Sequence, residues 1–432
     1  MITATERAQF GKSRRAVVSR AALANLRPDE RRFDPIDVLL ASSQDRIPEL
    51  LPVKYGRMMK SPFAFFRGAV SIMAADLLRL PNTGLHAQLC GDAHVQNLGS
   101  FAGPDGSLVF DLNDFDQTIR GPWEWDVKRM AASIVLAGRE SGHNRAGCRS
   151  AAEMFIQSYC RCLGEFSEQP VLVVARHQIQ SNKRVKAIDA ALRQSERARP
   201  LDLLQKLVNR KGHFRNLKSD SWRIRGEEAD EVLRALGAYR NTLAPERRYL
   251  FDLFRSLDVG FKVVGTGSVG LRNYVVLFEG NGEQDPMFIQ VKQQVPSAYA
   301  TYSPKAVLPH DGRRVATGQR TVQAISDLLL GWTTIAGRHY LVRQFNDHKG
   351  SVSLKKLAGA GLKRLAGVAG ELLARGHARS GDARAISGYC GSSAKIVPAL
   401  RNFACEYADQ NEADYNAFKA LVATGKIQVA PE

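Results

Sequence analysis

The chain has 432 residues, 44% hydrophobic and 24% charged, the composition of an ordinary globular protein with enough apolar material for more than one core. No window approaches the ~20 consecutive apolar residues of a membrane span and no apolar signal core opens the chain, so no membrane partner and a cytoplasmic location are expected. The formal charge of +18 admits nucleic acid, an acidic surface or a polyanionic substrate, while six scattered cysteines support neither a zinc site nor a disulfide framework.

Residues 1–34 are polar and basic without periodicity and predict a flexible arm. From Pro35 the apolar positions Val38, Leu39, Leu40, Ile47, Leu50 and Leu51 open a mainly helical region expected to run over 35–255. Ser61 before Pro62 marks a helix start. Arg57, Lys60 and Arg67, close to Phe63, Phe65 and Phe66, suit either a phosphate contact or a structural stack on aromatic rings.

Leu85–Cys90 predicts a strand that delivers Gly91-Asp92-Ala93-His94-Val95-Gln96-Asn97. Leu108–Leu112 predicts a second, after the turn Gly103-Pro104-Asp105-Gly106, and leads into Asn113-Asp114-Phe115-Asp116. Asp92 and Asp114 then lie just beyond strand ends and close together. Phosphoryl transfer needs a carboxylate to position or deprotonate the attacking hydroxyl and oxygen ligands for Mg²⁺. Asp92 suits the first role and Asn97 with Asp114 the second, since Mg²⁺ takes only one or two oxygens from protein. The alternative is a turn with Asx caps.

Helices follow, over Val127–Arg139 with Val127, Met130, Ile134 and Val135 in a 3.6 period, and over Ser150–Leu163. The excess of positive charge gathers between Lys183 and Arg225. Few aromatics interleave there for base stacking, so a solvated charged face is preferred to a nucleic-acid surface.

At Val259 the pattern changes. Phe261–Val264 enters the glycine loop Gly265-Thr266-Gly267-Ser268-Val269-Gly270, and Asn273–Phe278 beyond it is β-branched and aromatic. Dinucleotide and Walker loops need a helix there; a glycine loop between two strands is the protein-kinase arrangement. A third strand, Met287–Lys292, ends in a lysine 22 positions beyond Gly270 that suits the α- and β-phosphates, the competing reading being a solvated edge lysine. A helix is expected over Val315–Trp332; it lacks the glutamate that pairs with such a lysine, leaving Gln319, Gln323 or Asp327 as partner. Tyr340–Phe345 predicts the hinge strand, placing Gln344 beside an adenine. Leu357–Arg375, Phe403–Ala408 and Tyr415–Leu421 are the closing helices.

The glycine loop and Lys292 follow the Asp92 loop, whereas kinases place them before it. Read cyclically the order is restored, so an α+β, two-lobed, protein-kinase-like fold with circularly permuted order is expected. Its parts are the arm 1–34, a helical lobe 35–255 with the catalytic and metal loops, a glycine-loop β-sheet lobe 256–348 that holds the nucleotide, and C-terminal helices 349–432 packing on the helical lobe.

Several stretches resemble an uncharacterised bacterial family, domain of unknown function 2252: Ser61–Gly68, Gly91–Asn97, Asn113–Asp116, Gly121–Asp126, Gly318–Arg320, Val342–Gln344 and His377–Asp382. That family implies no activity. More remotely, Gly91–Asn97 is similar to the His-Gly-Asp-x-His-x-x-Asn loop of aminoglycoside and choline phosphotransferases, with Cys90 in place of the leading histidine. This second resemblance implies Asp92 as catalytic base, Asn97 and Asp114 as metal ligands and Asp126 as a brace for the loop. Asp111 and Asp116 rival Asp114, because Asp116 stands where a glycine usually follows Asp-Phe.

Three functions follow as expectations. The first is an ATP- and Mg²⁺-dependent phosphotransferase acting on a small-molecule or protein hydroxyl, with Asp92 catalytic, Asn97 and Asp114 on the metal, and Gly265, Gly267, Ser268, Gly270, Lys292 and Gln344 on the nucleotide. The alternatives on the same site are a nucleotide-binding pseudokinase with a regulatory role and an adenylyl transferase. The third is a basic nucleic-acid-binding protein.

Overall fold

Among the described residues the strands form three antiparallel sheets. The computed structural model describes residues 3–178, 185–217, 221–302, 308–345 and 349–430, and the fold is mixed α+β. Strand β1 (His86–Leu89) pairs with β4 (Ile119–Pro122). Between them in the chain, β2 (Leu98–Ala102) pairs with β3 (Leu108–Leu112) on one side and the short β11 (Gly350–Ser351) on the other. The third sheet has six strands, β5 (Ser221–Arg223), β6 (Arg255–Lys262), β7 (Asn273–Gly280), β8 (Gly282–Gln294), β9 (Gly331–Ile335) and β10 (Arg338–Gln344), in the order β5-β6-β7-β8-β10-β9.

Period-2 side-chain alternation explains why β7 and β8 are buried on both faces. Tyr274, Val276, Phe278, Ile289 and Val291 point into one core, whereas Val275, Leu277 and Phe288 point into another with Phe214 and Phe345. Gln290, Lys292 and Gln294 share the face of Phe288 and are buried. Lys292 is thus an inner-strand residue, 3% exposed, between β7 and β10, and not an edge lysine.

The largest core belongs to the helices. Helix Glu124–Glu140 is buried along nearly its whole length and packs against helices Arg145–Glu168 and Ser393–Ala423. Helix Gly361–Ser380 lies along Arg145–Glu168.

Four expectations need correction. Residues 1–34 are not a loose arm: helix Ala4–Ser13 is capped by a Thr3–Glu6 capping box and packs on helix Ala383–Cys390, where Gly11 lies so close to Ala385 that a Cβ would meet its carbonyl oxygen at 1.8 Å. The helix expected over Val315–Trp332 spans Asp311–Val322, and Trp332 lies in β9. The apolar period does continue through Leu328 and Leu329, but Asp327 Oδ1 accepts the Leu329 amide at 2.7 Å, an Asx turn that competes with helix. The closing helices after residue 393 are one helix, Ser393–Ala423, which continues through Pro398 although proline there removes the bond to the Ala394 carbonyl. Helix Gly361–Ser380 also runs past Arg375 through Gly376-His377.

Candidate functional site

The segment between β1 and β2 turns at Gly91, whose φ of +81° suits glycine and whose Cβ would meet the Gln117 carbonyl oxygen at 2.1 Å. Buried Asp126 of helix Glu124–Glu140 fixes the turn from below: its carboxylate accepts the Cys90 and Gly91 amides at 2.8 and 3.0 Å. Asp92 follows. Its Oδ1 accepts from Arg129 Nε at 2.6 Å, and its Oδ2 lies 3.8 Å from His94 Nε2. Arg129 is fully buried and also donates to the Phe66 carbonyl at 3.0 Å, so one side of Asp92 is held while its side chain remains partly open. Burial opposes the charge on Arg129, but Asp92 beside it leaves the guanidinium held above its ordinary value. Burial, with Arg67 and Arg129 adding to it, pushes His94 down to about 3, so the imidazole is neutral at pH 7.

Asn97 ties this loop to the acidic one. Its Nδ2 donates to the Asp92 and Asp114 carbonyls at 3.0 and 2.8 Å, and its Oδ1 accepts the Asn113 and Asp114 amides at 3.1 and 2.5 Å. The pattern of two acceptors and two donors fixes the amide orientation. Both faces of Asn97 are therefore engaged by backbone.

The rivals Asp111, Asp114 and Asp116 separate clearly. Asp111 turns into the helical core and pairs with buried Arg375 of helix Gly361–Ser380, at 2.6 and 2.9 Å. Asp114 opens into the cavities described below, its side chain nearly half exposed. Burial would raise the Asp114 carboxyl, yet Lys292 and Arg343 outweigh it and hold it below the ordinary value, an effect that solvent at this exposure weakens. Asp116 receives Lys292 Nζ at 2.5 Å on Oδ2, with Ser268 Oγ at 3.1 Å on the same oxygen and Gln294 Nε2 at 3.1 Å on Oδ1.

Lys292 therefore pairs with Asp116, and lies 3.9 Å from Asp114, rather than with Gln319, Gln323 or Asp327. Those three have other contacts. Gln319 donates to Gln323, Gln323 donates to the Leu112 carbonyl at 2.5 Å, and Asp327 Oδ2 accepts the Gln344 amide at 2.6 Å. The residue missed by sequence reasoning on this helix is Arg314. It is buried and donates to the carbonyls of Asp116, Thr118 and Val295, fastening the acidic loop to the end of β8. Gly318 on the same helix lets Thr118 approach so closely that a Cβ would meet its Oγ1 at 2.4 Å.

The glycine loop between β6 and β7 closes over these groups. Gly265 and Gly270 take φ of +67° and +90°. The loop rests on the chain's N-terminal helices: the Gly265 carbonyl accepts from Arg57, Val269 from Arg46 and Gly270 from the Ile47 amide at 2.8 Å.

Two adjoining cavities result. One, of about 560 Å³, is lined by Asp92, His94, Asn97, Asp114, Gly265 and Gly267, together with Arg46 and Arg67. The other, of about 590 Å³, is lined by Gly265, Ser268, Lys292, Gln344 and Asp114, with Phe101, Val263 and Val264 also in its wall. Gly270 of the predicted nucleotide set lines neither, and its φ and its contact with Arg46 give it a structural role in the loop.

The basic run is dispersed. Arg193, Arg199 and Arg223 pair with Asp189, Asp202 and Asp258. Lys183, Arg184 and Lys218 lie outside the described residues. All six cysteines are free. Among the described residues no group of three or more His, Cys, Asp or Glu side chains could hold a metal, and no helix is long and apolar enough to cross a membrane.

The family described as "Uncharacterized protein conserved in bacteria (DUF2252)" matches residues 46–421. The chain belongs to this family. The match begins at Arg46, so it takes in the glycine-loop contacts as well as both acidic loops, and it ends within helix Ser393–Ala423. No curated protein and no solved structure matches the chain.

Proposed function

We propose that this member of the family is an ATP- and Mg²⁺-dependent phosphotransferase with a kinase-like, two-lobed fold in circularly permuted order. One observation carries the reading: Lys292 of β8 meets Asp116 at 2.5 Å across 176 positions of chain, and Asp116 lines the same cavity as Asp92 and accepts from Ser268 of the glycine loop. Groups exchanged in chain order relative to kinases still converge on one site, as permutation requires. In the second cavity the apolar side chains of Phe101 and Val264 suit a flat base, and Gln344 lines the same cavity. Lys292 and Arg343 then suit the phosphates.

Asp114 offers the open oxygens that Mg²⁺ prefers, whereas the Asn97 oxygen is already engaged by two amides; the donor set fits through Asp114, with water and phosphate oxygens completing it. Bound there, the ion would neutralise charge on the phosphates. The chain's own residues do the rest. Arg129 holds Oδ1 of Asp92, which leaves Oδ2 to orient an acceptor hydroxyl and take its proton, and Asp126 fixes the loop that presents it. Neutral His94 adds no competing charge.

The test has two steps. Calorimetry on folded protein is expected to detect MgATP uptake, and Asp92→Asn is expected to lower turnover about 10²- to 10⁴-fold with uptake unchanged. Absence of uptake, or full turnover by the variant, rejects the reading. The engaged amide of Asn97 favours one second reading, nucleotide binding without transfer in a regulatory protein, which predicts uptake but no consumption of ATP. Label on the α- or the γ-phosphate separates adenylyl from phosphoryl transfer.

A further inference from the structure

Arg46, Arg67, Ser71 and His94 line the same 560 Å³ cavity, and each carries a buried polar atom without a hydrogen-bond partner among the described residues: Arg46 Nε, Arg67 Nε, Ser71 Oγ and His94 Nδ1. Buried polar groups are ordinarily satisfied, and a buried charge without a counter-charge is costly. Neither arginine has an ion pair among the described residues. Arg46 gives one N–H to the Val269 carbonyl, and Arg67 Nε has no hydrogen-bond partner among the described residues. Asp45, exposed at the rim, lies within ion-pair distance of neither. Burial lowers both guanidiniums, Arg46 to about 10, against the opposing pull of Asp116 on Arg46 and of Asp92, Asp114 and Glu140 on Arg67.

Arg46 and Arg67 do not line the adjoining cavity, where a nucleotide would have Lys262 and Lys292, with Arg343 and Lys349 shared between the two. The two arginines stand instead on the Asp92 side, where an acceptor hydroxyl would lie. Val38, Ala41, Val70 and Leu78 supply a short apolar wall beside them. From Arg46, Arg67, Ser71 and the wall beside them, we infer that this cavity binds a small hydroxylated anion, a phosphate monoester or a carboxylate, with the two guanidiniums holding the anionic group and its hydroxyl directed to Asp92. That the anion is the phosphoryl acceptor rests on the reading above; the anion site itself does not.

Nucleotide-free protein is titrated by calorimetry with glycerol 3-phosphate, with glycerate and with neutral glycerol. At least one anion is expected to bind, less tightly as NaCl is raised, and glycerol is not. Which anion binds distinguishes phosphate from carboxylate. Arg46→Gln and Arg67→Gln are each expected to weaken binding about tenfold or more, a loss that charge-retaining Arg46→Lys makes smaller. Arg67→Gln removes an unpaired charge, so its melting temperature is expected not to fall, which keeps the test readable if Arg46→Gln folds poorly. No heat and no rise in melting temperature with either anion overturns the inference, as does binding that Arg67→Gln leaves unchanged. A parallel MgATP titration separates the two readings: nucleotide uptake without anion binding overturns only the acceptor site, and anion binding without nucleotide uptake overturns only the phosphotransferase.

Discussion

The two sides of the cavities meet at Asp116 but are held by different means. On the acidic side, Asp126 takes two amides of the Asp92 loop, Asn97 engages four backbone groups, Arg314 fastens three carbonyls and Asp111 pairs with Arg375, all among buried side chains. The glycine loop has fewer ties. They are half-buried or exposed arginines at two carbonyls, the Ile47 amide, and the Ser268 hydroxyl on Asp116. A floor fixed in advance beneath a roof that can part is what a site needs to admit a ligand and still present its groups at set distances. The difference is one of local stability, and substitutions on the two sides should report it separately.

The largest effect is expected on the floor. Arg375→Ala strands the Asp111 carboxylate in the helical core, a loss of about 3–5 kcal/mol when one member of a buried pair is removed. Chemical denaturation measures it. A loss below about 1 kcal/mol would mean that water reaches Asp111 and that the floor is no firmer than the roof.

Sequence reasoning placed the floor's acidic residues at strand ends but not their fastenings. Asp92, Asp114 and the Ser61 cap lie in local signals, strand ends and turn residues whose side chains act on their own backbone, and Ser61 Oγ does accept the Ala64 amide. The hairpin around Gly265 was legible because β-branched alternation on both sides excludes a following helix. The partners were not. Arg129, Arg314 and Arg375 are cations on otherwise apolar helix stripes, a signal in principle, yet nothing local says which carbonyl or carboxylate each meets 19 to 264 positions away. The kinase pattern points to the following helix for a partner of Lys292, whereas its contact with Asp116 depends on how two distant segments dock. The docking of helix Ala4–Ser13 is hidden for a similar reason: Gly11 and Gly388 let polar helices approach backbone to backbone, with little apolar stripe to announce it.

A middle-sized effect tests the floor through pH. His94 is buried neutral, its folded value near 3 against an ordinary value near 6.5, so the unfolded chain binds the extra proton. Its contribution to stability is complete above pH 6.5 and is lost as pH falls toward 3, by up to roughly 1.4 kcal/mol per pH unit. His94→Gln, compared with the native chain by denaturation between pH 7 and 5, is expected to remove that slope. An unchanged slope would show that His94 gains a proton in the folded state, and with it a floor loose enough to solvate a cation.

The smallest effect belongs to the roof. In Ser268→Ala, Asp116 keeps Lys292 and Gln294, so no buried acceptor is left alone and global stability should fall by only about 0.5–1.5 kcal/mol. What should change is local opening. The Leu271 amide, bonded to the Ser268 carbonyl at 3.1 Å, reports the loop, and the Asp114 amide, bonded to Asn97, reports the floor. Amide exchange at Leu271 is expected to quicken by about three- to tenfold while that at Asp114 stays as it was. Equal acceleration at both would mean that the roof and the floor open as one unit through Asp116, and that Lys292 binds the sheet to the acidic loop more firmly than the sparse contacts of the glycine loop imply.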